Sequence, residues 1–291
     1  MKISSFRFTK KRIFQLLLVS AIGVAISMTA CQTTPSLAGS VTETFQGRQV
    51  EAFTQVRPNS KAVVVFENGA KETINKWDKV LSEVSQDSTV FAYNRPGYGK
   101  SDKTNSPRDG QTIVAELHQM LQHRNLKPPY ILVGHSMGGL YMQLFAKTYP
   151  DEVQGIVMVD ALYPKIIKKP EDFPWLTRVG KSLFLNSTLQ SEIDQIHTTG
   201  EQVLALPSID SKPMIRLINV PKSATAIAVD FGVVNDDPQT ISFARNLYPN
   251  AKLVIADSDH AIQTANPELV VAAIREMQKV TPTIAPPHRS E

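Results

Sequence analysis

The amino-acid sequence predicts an α/β fold in which helices cover both faces of a mostly parallel central sheet. Two observations support this prediction. Apolar runs short enough to be buried strands alternate with helically spaced apolar residues between residues 61 and 160. In addition, a strand, a tight glycine-containing turn and a helix follow one another directly between residues 130 and 147. Such alternation is typical of parallel strands joined by helical crossovers.

The first third of the chain is expected to supply a hairpin and the first parallel strands. Residues 41–45 and 48–56 alternate between polar and apolar positions around Gln46-Gly47, which predicts an antiparallel hairpin. Residues 61–66 form a continuous apolar run, as expected for a central strand buried on both faces. The remaining elements predicted before the turn are a helix at 74–84, a strand at 89–93 and a helix at 112–123.

The alternation of predicted strands and helices stops after a predicted strand at 153–159. Residues 162–221 are rich in Pro and Lys and show no clear strand, which predicts a mostly helical cap insertion over the carboxyl ends of the strands. Strands are predicted to resume at 224–230 and 251–256. Asn266-Pro267-Glu268 predicts the start of a closing amphipathic helix, which is expected to extend through residue 280. The Pro-rich segment 281–291 is predicted to be disordered.

The turn between residues 134 and 138 places a serine where a strand passes into a helix. Gly134-His135-Ser136-Met137-Gly138 matches the G-x-S-x-G pattern of a nucleophile elbow, with the strand and the helix that this motif requires. Gly134 and Gly138 are expected to leave room for the tight turn. The helix that begins at Met137 should direct its N-terminal amides at an oxyanion formed near Ser136.

Five segments, taken together, carry a resemblance to a known superfamily. They are Phe66-Glu67-Asn68-Gly69, residues 93–102, residues 134–139, residues 156–161, and Ser258-Asp259-His260 with residues 266–268. On these residues the chain resembles the α/β hydrolases from about residue 41 to residue 280. It departs from their usual pattern at Asn68 and Asn94, where His and Asp are frequent, and at Asp259, where Gly usually precedes the histidine. The resemblance implies a mostly parallel sheet with a helical cap and a Ser-His-Asp triad.

Acyl transfer needs a nucleophile, a base that takes its proton and an acid that orients the base. Ser136 is the predicted nucleophile. His260 is the predicted base among six histidines, because it follows the last predicted strand and comes after the serine, as in this fold. His135 lies next to Ser136 and is expected to point elsewhere.

Two positions compete for the acid. Some members of the superfamily place it after the strand that follows the elbow helix, and Asp160 ends that strand here. Others place it after the next strand, where this chain offers Asp230, Asp236 and Asp237. We take Asp160 as the predicted acid, with Asp236 or Asp237 as the alternative.

The predicted function is cleavage of a carboxylic ester, or of a related acyl bond, through an acyl-enzyme. The backbone amides of Met137 and Ala70 are the predicted oxyanion hole, and Gly69 is expected to give their loop conformational freedom. The sequence has no metal-ligand spacing and no phosphate-binding loop, so no cofactor is predicted. The expected partner is a small-molecule acyl substrate.

The N-terminus predicts export. Basic residues precede an uncharged run from residue 13 to residue 30, which is typical of a signal peptide. Met28-Thr29-Ala30-Cys31 resembles a bacterial lipobox, so Cys31, the only cysteine, is the predicted lipidation site and membrane anchor. Residues 31–40 would then be a tether. The alternatives are ordinary cleavage near Ser36-Leu37-Ala38 and an uncleaved N-terminal anchor.

Charge excludes nucleic acid as an expected partner. The chain has 31 basic and 27 acidic residues, and five of the basic residues precede Cys31. The part that would remain after export therefore carries 26 basic residues against 27 acidic ones, a net charge of −1, and gives no reason to expect a polyanion as ligand.

Two other functions are compatible with the sequence. One is a non-catalytic binding protein of the cell envelope on the same fold. The other is a lipase or acyltransferase whose cap faces lipid. The apolar cap residues that would form such a patch, although core packing would also explain them, are Phe173, Trp175, Leu176, Leu183, Phe184 and Leu185.

Overall fold

The computed structural model describes residues 37–165, 169–172, 185–219 and 238–280. An eight-stranded sheet runs through these residues in the order β1-β2-β4-β3-β5-β6-β7-β8. The strands are β1 Val41–Phe45, β2 Arg48–Gln55, β3 Val63–Glu67, β4 Thr89–Tyr93, β5 Tyr130–His135, β6 Val153–Val159, β7 Met214–Asn219 and β8 Lys252–Ala256. β1 and β2 pair antiparallel with each other, and β2 pairs antiparallel with β4. β3 to β8 are mutually parallel, so the predicted fold class is confirmed.

Helices lie on both faces of the sheet. Those in the described residues are α1 Asp78–Val84, which a 3-10 turn at Ile74–Trp77 precedes, α2 Gly110–His123, α3 Met137–Thr148, α4 Ser187–Ala205, α5 Pro238–Leu247, α6 Ile262–Ala265 and α7 Pro267–Lys279. One core cluster contains Leu117 of α2, Leu144 of α3 and Ile193 of α4. The second cluster contains Val80 of α1 and Ile274 of α7. Successive residues of β3 alternate between the two clusters, because neighbouring side chains in a strand point to opposite faces.

The N-terminal hairpin forms at the predicted turn. Gln46 and Gly47 both have positive φ angles, 50° and 75°. Positive φ at both central residues is typical of the two-residue turns whose twist matches that of the flanking strands. Asn266 occupies the predicted N-cap of α7 and Pro267 its first turn, although the Asn266 side chain makes no capping hydrogen bond.

The predicted extent of the cap insertion is wrong at its C-terminal end. β7, at Met214–Asn219, lies inside the segment 162–221 and pairs parallel with β6. The strand was missed because Arg216 interrupts its apolar run. Arg216 is buried, and its Nε donates to the Tyr163 hydroxyl at 2.7 Å. The strand predicted at 224–230 lies outside the described residues.

The prediction of a tether is also wrong for residues 37–40. Leu37 is buried against the cluster that contains α1 and α7, and the amide of Ser40 donates to the carbonyl of Leu37 at 2.9 Å. Leu37, the one large apolar residue among the small and polar residues 37–40, therefore packs this segment against the core. The predicted signal peptide at 1–30, the rest of the tether and the tail at 281–291 lie outside the described residues.

Two further observations bear on membrane association. Of the apolar cap residues named above, the structure describes Leu185, which is partly buried against the core. Within the described ranges no helix combines the length and the apolar character that crossing a membrane requires.

Candidate active site

Ser136 lies at the junction of β5 and α3 in a backbone conformation that few residues adopt. Its φ and ψ are 50° and −121°, which is a strained conformation for a residue with a side chain. Hydrogen bonds from both directions hold it there: its amide donates to Val159 O at 3.1 Å, and its carbonyl accepts from the Leu162 amide at 2.9 Å. The end of β6 and the chain just beyond it therefore fix the elbow.

The two elbow glycines are required by close backbone contacts. A Cβ on Gly134 would lie 2.6 Å from the Cα of Gly139. A Cβ on Gly138 would lie 2.4 Å from Glu67 O and 2.5 Å from Asn68 O. These are backbone atoms that cannot move aside, so the elbow packs directly on the loop that follows β3.

His260 and Asp160 are brought together by the fold, although they are 100 positions apart in the chain. The Nδ1 of His260 lies 2.6 Å from Oδ2 of Asp160. The His260 side chain is 56% exposed, whereas that of Asp160 is 2% exposed. Since Asp160 engages Nδ1, the free lone pair of a neutral His260 is on Nε2, the atom that could take a proton from Ser136.

Asp160 is held rigidly at the end of β6. Its φ is 40°, and its amide donates to Leu217 O at 2.8 Å. Its other carboxylate oxygen, Oδ1, accepts from the backbone amide of Asn219 at 3.2 Å. The neighbouring strand β7 thereby orients the carboxylate that contacts His260. The alternative acids Asp230, Asp236 and Asp237 lie outside the described residues.

The environment of His260 favours its protonated form. Burial lowers the pKa of His260, but the hydrogen bond and negative charge of Asp160, together with the charges of Glu72 and Asp259, bring the pKa above its ordinary value. An imidazole in this state is a stronger base, which is what proton removal from a serine hydroxyl requires.

The predicted oxyanion amides lie on two elements that contact each other. Met137 is the first residue of α3, so its amide has no acceptor within the helix. Ala70 follows Asn68 and Gly69 in the loop after β3. The Asn68 side chain donates to Tyr93 O at 2.7 Å and accepts from Trp77 Nε1 at 2.9 Å. Its side chain therefore fixes the loop, at a position where the α/β hydrolases often have histidine.

A buried network of charged side chains forms hydrogen bonds with the same loop. Arg95 donates to the carbonyls of Asn68 and Gly69 at 2.7 and 3.0 Å. It also pairs with Glu67 at 2.6 Å and with Glu192 of the cap helix α4 at 2.9 Å, and all three charged side chains are 0% exposed. Arg95 therefore joins the loop to the cap. Its position in the Arg95-Pro96-Gly97 segment was visible in the sequence, but its partners were not.

His135 and Glu72 form a second histidine–carboxylate pair that sequence reasoning missed. The Nδ1 of His135 lies 2.6 Å from Glu72 Oε2, and Nε2 lies 2.9 Å from the backbone oxygen of His260. The rings of His135 and His260 are 4.7 Å apart between centroids. Since both nitrogens of His135 are engaged, this residue is not free to act as the base.

The other histidines lie elsewhere. His118 on α2 contacts Glu152 at 2.9 Å and stacks on Tyr149, and the ring of His123 packs edge-on against Phe45. His197 lies on α4, and His288 lies outside the described residues. Among the described histidines, His260 is thus the one that lies beside the elbow and contacts a carboxylate through Nδ1 while its Nε2 is not bound to a backbone carbonyl, as that of His135 is.

Comparisons with known proteins agree with this architecture. Residues 62–180 match the family model described as the α/β-hydrolase fold. The protein YqjL of Bacillus subtilis is 32% identical over 108 residues, which is 37% of this chain and 43% of that protein. The chain spans less than half the length of the curated relatives that it matches.

Solved structures are similar over much more of the chain, at low sequence identity. An esterase from Thermogutta terrifontis superposes with a TM-score of 0.58 at 16% identity, over 81% of this chain and 97% of that one. A haloalkane dehalogenase from Bradyrhizobium elkanii gives 0.62 at 12% identity, over 82% and 95%. The sheet order, the elbow and these similarities together identify the fold of this chain as that of the α/β-hydrolase superfamily.

Proposed function

We propose that the protein is a serine hydrolase that cleaves a carboxylic ester through an acyl-enzyme. The observation that carries the proposal is the contact between His260 Nδ1 and Asp160 Oδ2 beside the strained Ser136 elbow, because it puts the lone pair of a neutral imidazole on Nε2. Ser136 in this role attacks the ester carbonyl while Nε2 of His260 takes the hydroxyl proton. The proton then passes to the departing alcohol, and an acyl group remains on Ser136.

The second half of the reaction repeats the first with water. His260 takes a proton from water, the hydroxide attacks the acyl carbon, and the acid leaves as Ser136 regains its proton. The amides of Met137 and Ala70 would stabilise the negative oxygen that forms in each half. An ester is favoured over a bond with a poorer leaving group, such as an amide. Ser136, His260 and the two oxyanion amides then need to stabilise the transition state less. The alternatives remain a lipase or acyltransferase and a non-catalytic binding protein of the envelope.

Hydrolysis of p-nitrophenyl acetate and butyrate by the full chain tests the proposal. Ser136→Ala should lower kcat on the order of 10⁴-fold or more, because the nucleophile is lost. Ser82→Ala is the matched control, since Ser82 lies on α1 and its hydroxyl donates to Lys79 O on the surface. Equal activity in the wild type and Ser136→Ala would contradict the proposal, and a folded, inactive wild type would favour the binding protein.

We also propose that the protein is exported and is anchored in the membrane by a lipid on Cys31. The basic start, the uncharged run and the single cysteine directly after it support this proposal. Expression of the full chain in a bacterial host with labelled palmitate should give a labelled, membrane-bound product, and Cys31→Ser should give none. A labelled Cys31→Ser product would contradict the assignment of the anchor.

A further inference from the structure

Glu72 connects two parts of the candidate site through a single oxygen atom. It lies in the loop after β3, three residues beyond Gly69. Its Oε2 accepts a hydrogen bond from the Gly69 amide at 3.1 Å and lies 2.6 Å from Nδ1 of His135. One carboxylate therefore contacts both the predicted oxyanion loop and the residue that directly precedes Ser136.

His135 extends this connection to the loop that carries His260. Its Nε2 lies 2.9 Å from the backbone oxygen of His260. A carbonyl oxygen can only accept, so Nε2 carries a proton and donates it to this bond. The His135 side chain is 1% exposed, and releasing this bond would leave a buried polar group unpaired. The carbonyl of His260 is therefore held in place by the residue next to Ser136.

The short contact between His135 and Glu72 also requires a proton. Without one, a lone pair on Nδ1 would face a carboxylate oxygen at 2.6 Å. Burial raises the pKa of Glu72, but its contact with His135, the Gly69 amide and the charge of Lys76 together bring its pKa below the ordinary value. A carboxylate oxygen at this distance accepts a hydrogen bond from Nδ1, and the contact is largely shielded from water because the two side chains are 1% and 15% exposed.

Gly69 is needed for the space that this pair occupies. A Cβ at residue 69 would lie 2.7 Å from Glu72 Oε2 and 2.8 Å from Nδ1 of His135. Its φ is not in the positive range, so the expected role of Gly69, conformational freedom, is wrong. The residue is small because Glu72 and His135 meet directly above it.

We infer that the Glu72–His135 pair positions two loops relative to Ser136: the oxyanion loop at Gly69 and the base-bearing loop at His260. This inference rests on the proposed function, in which those loops supply an oxyanion amide and the base. Glu72 and His135 are positioning residues, because their ring and carboxylate atoms are engaged with each other and with the backbone.

Steady-state kinetics on an ester provide the first test. Glu72→Gln has nearly the same shape but replaces the carboxylate that contacts Nδ1 of His135 and the Gly69 amide with a neutral amide. We expect kcat to fall by roughly 10- to 100-fold with little change in KM, because loops displaced by about 1 Å misplace the reacting groups without removing them. The kcat of His135→Ala should be lowered at least as much as that of Glu72→Gln. The double variant should be little worse than His135→Ala, because the two side chains act through one another.

The chain offers a matched control and a rescue. His118 and Glu152 form another histidine–glutamate pair, at 2.9 Å, which contacts neither Ser136 nor His260. Glu152→Gln should leave kcat and KM unchanged. His135→Gln retains a side-chain donor that can reach the carbonyl of His260, so it should recover part of the kcat lost in His135→Ala. Unchanged kcat in both Glu72→Gln and His135→Ala would overturn the inference.

Nuclear magnetic resonance of the histidine rings tests positioning without turnover. In the full chain labelled with ¹⁵N-histidine, Nε2 of His135 should carry the proton that its contact with the His260 carbonyl requires, and Glu72→Gln should shift the ring signals of His260. Glu152→Gln should not shift them. His260 signals that are unchanged in Glu72→Gln would overturn the inference even in an active enzyme. Shifted signals in a wild type that hydrolyses no ester would instead support the positioning role and count against the proposed function.

Discussion

Two histidine–carboxylate pairs lie next to each other near Ser136, and they differ in how far the histidine is exposed to solvent. Both pairs have a 2.6 Å contact between Nδ1 and a carboxylate oxygen. In the His135–Glu72 pair, Nε2 is bound to a backbone carbonyl and the histidine is 1% exposed. In the His260–Asp160 pair, the histidine is 56% exposed. A histidine–carboxylate pair can therefore be buried against backbone in one place and present an exposed histidine in another, with 4.7 Å between the two ring centroids.

Removing the carboxylate from each pair should separate these two roles most clearly. Asp160→Asn should lower kcat on the order of 10⁴-fold, because the amide presents its N–H to Nδ1 and favours the wrong tautomer of His260. This loss is at least a hundred times larger than the one expected for Glu72→Gln. Asp236→Asn and Asp237→Asn, measured on the same ester, should behave as wild type. A large loss in either of these, with an active Asp160→Asn, would transfer the role of acid away from Asp160.

The pH dependence gives a smaller effect that sharpens the same comparison. Burial lowers the pKa of His260, but the contact with Asp160 and the charges of Glu72 and Asp259 bring it above the ordinary 6.5. A base must be neutral to accept a proton, so kcat/KM should rise with pH through a midpoint above 6.5. Asp160→Asn removes the largest of the influences that raise the pKa, so the residual activity should rise through a midpoint at lower pH. Equal midpoints in the two proteins would argue that another group titrates.

Much of the fold could be predicted because its strands are apolar and buried on both faces. β4 and β6 have the bounds that their apolar runs indicate, 89–93 and 153–159. β7 could not be found in the same way, because Arg216 breaks the run. A hydroxyl from Tyr163 satisfies this arginine in the folded state, and a distant side chain of that kind leaves no periodic trace in the sequence.

In the candidate site, too, residues in local sequence motifs could be predicted, whereas contacts between distant parts of the chain could not. Ser136 and His260 lie in local motifs, whose spacing is set by the backbone of the turn and by the chain order of the fold. Glu72 and His135 are 63 positions apart, and Arg95 and Glu192 are 97 apart. Neither contact has a local pattern, since each depends on which loops the sheet order brings together. The partners that sequence reasoning missed, Glu72 for His135 and Glu192 for Arg95, are therefore long-range contacts of this kind.

Fluorophosphonate labelling of the full chain, read by intact mass, is the most direct way to ask whether Ser136 is an activated nucleophile. A serine hydroxyl activated by His260 attacks phosphorus and expels fluoride, whatever the natural substrate is. We expect one adduct on the wild type, none on Ser136→Ala, and slower labelling of Glu72→Gln than of Glu152→Gln. A folded wild type that gains no adduct, or an equal adduct on Ser136→Ala, would contradict the claim that Ser136 is an activated nucleophile.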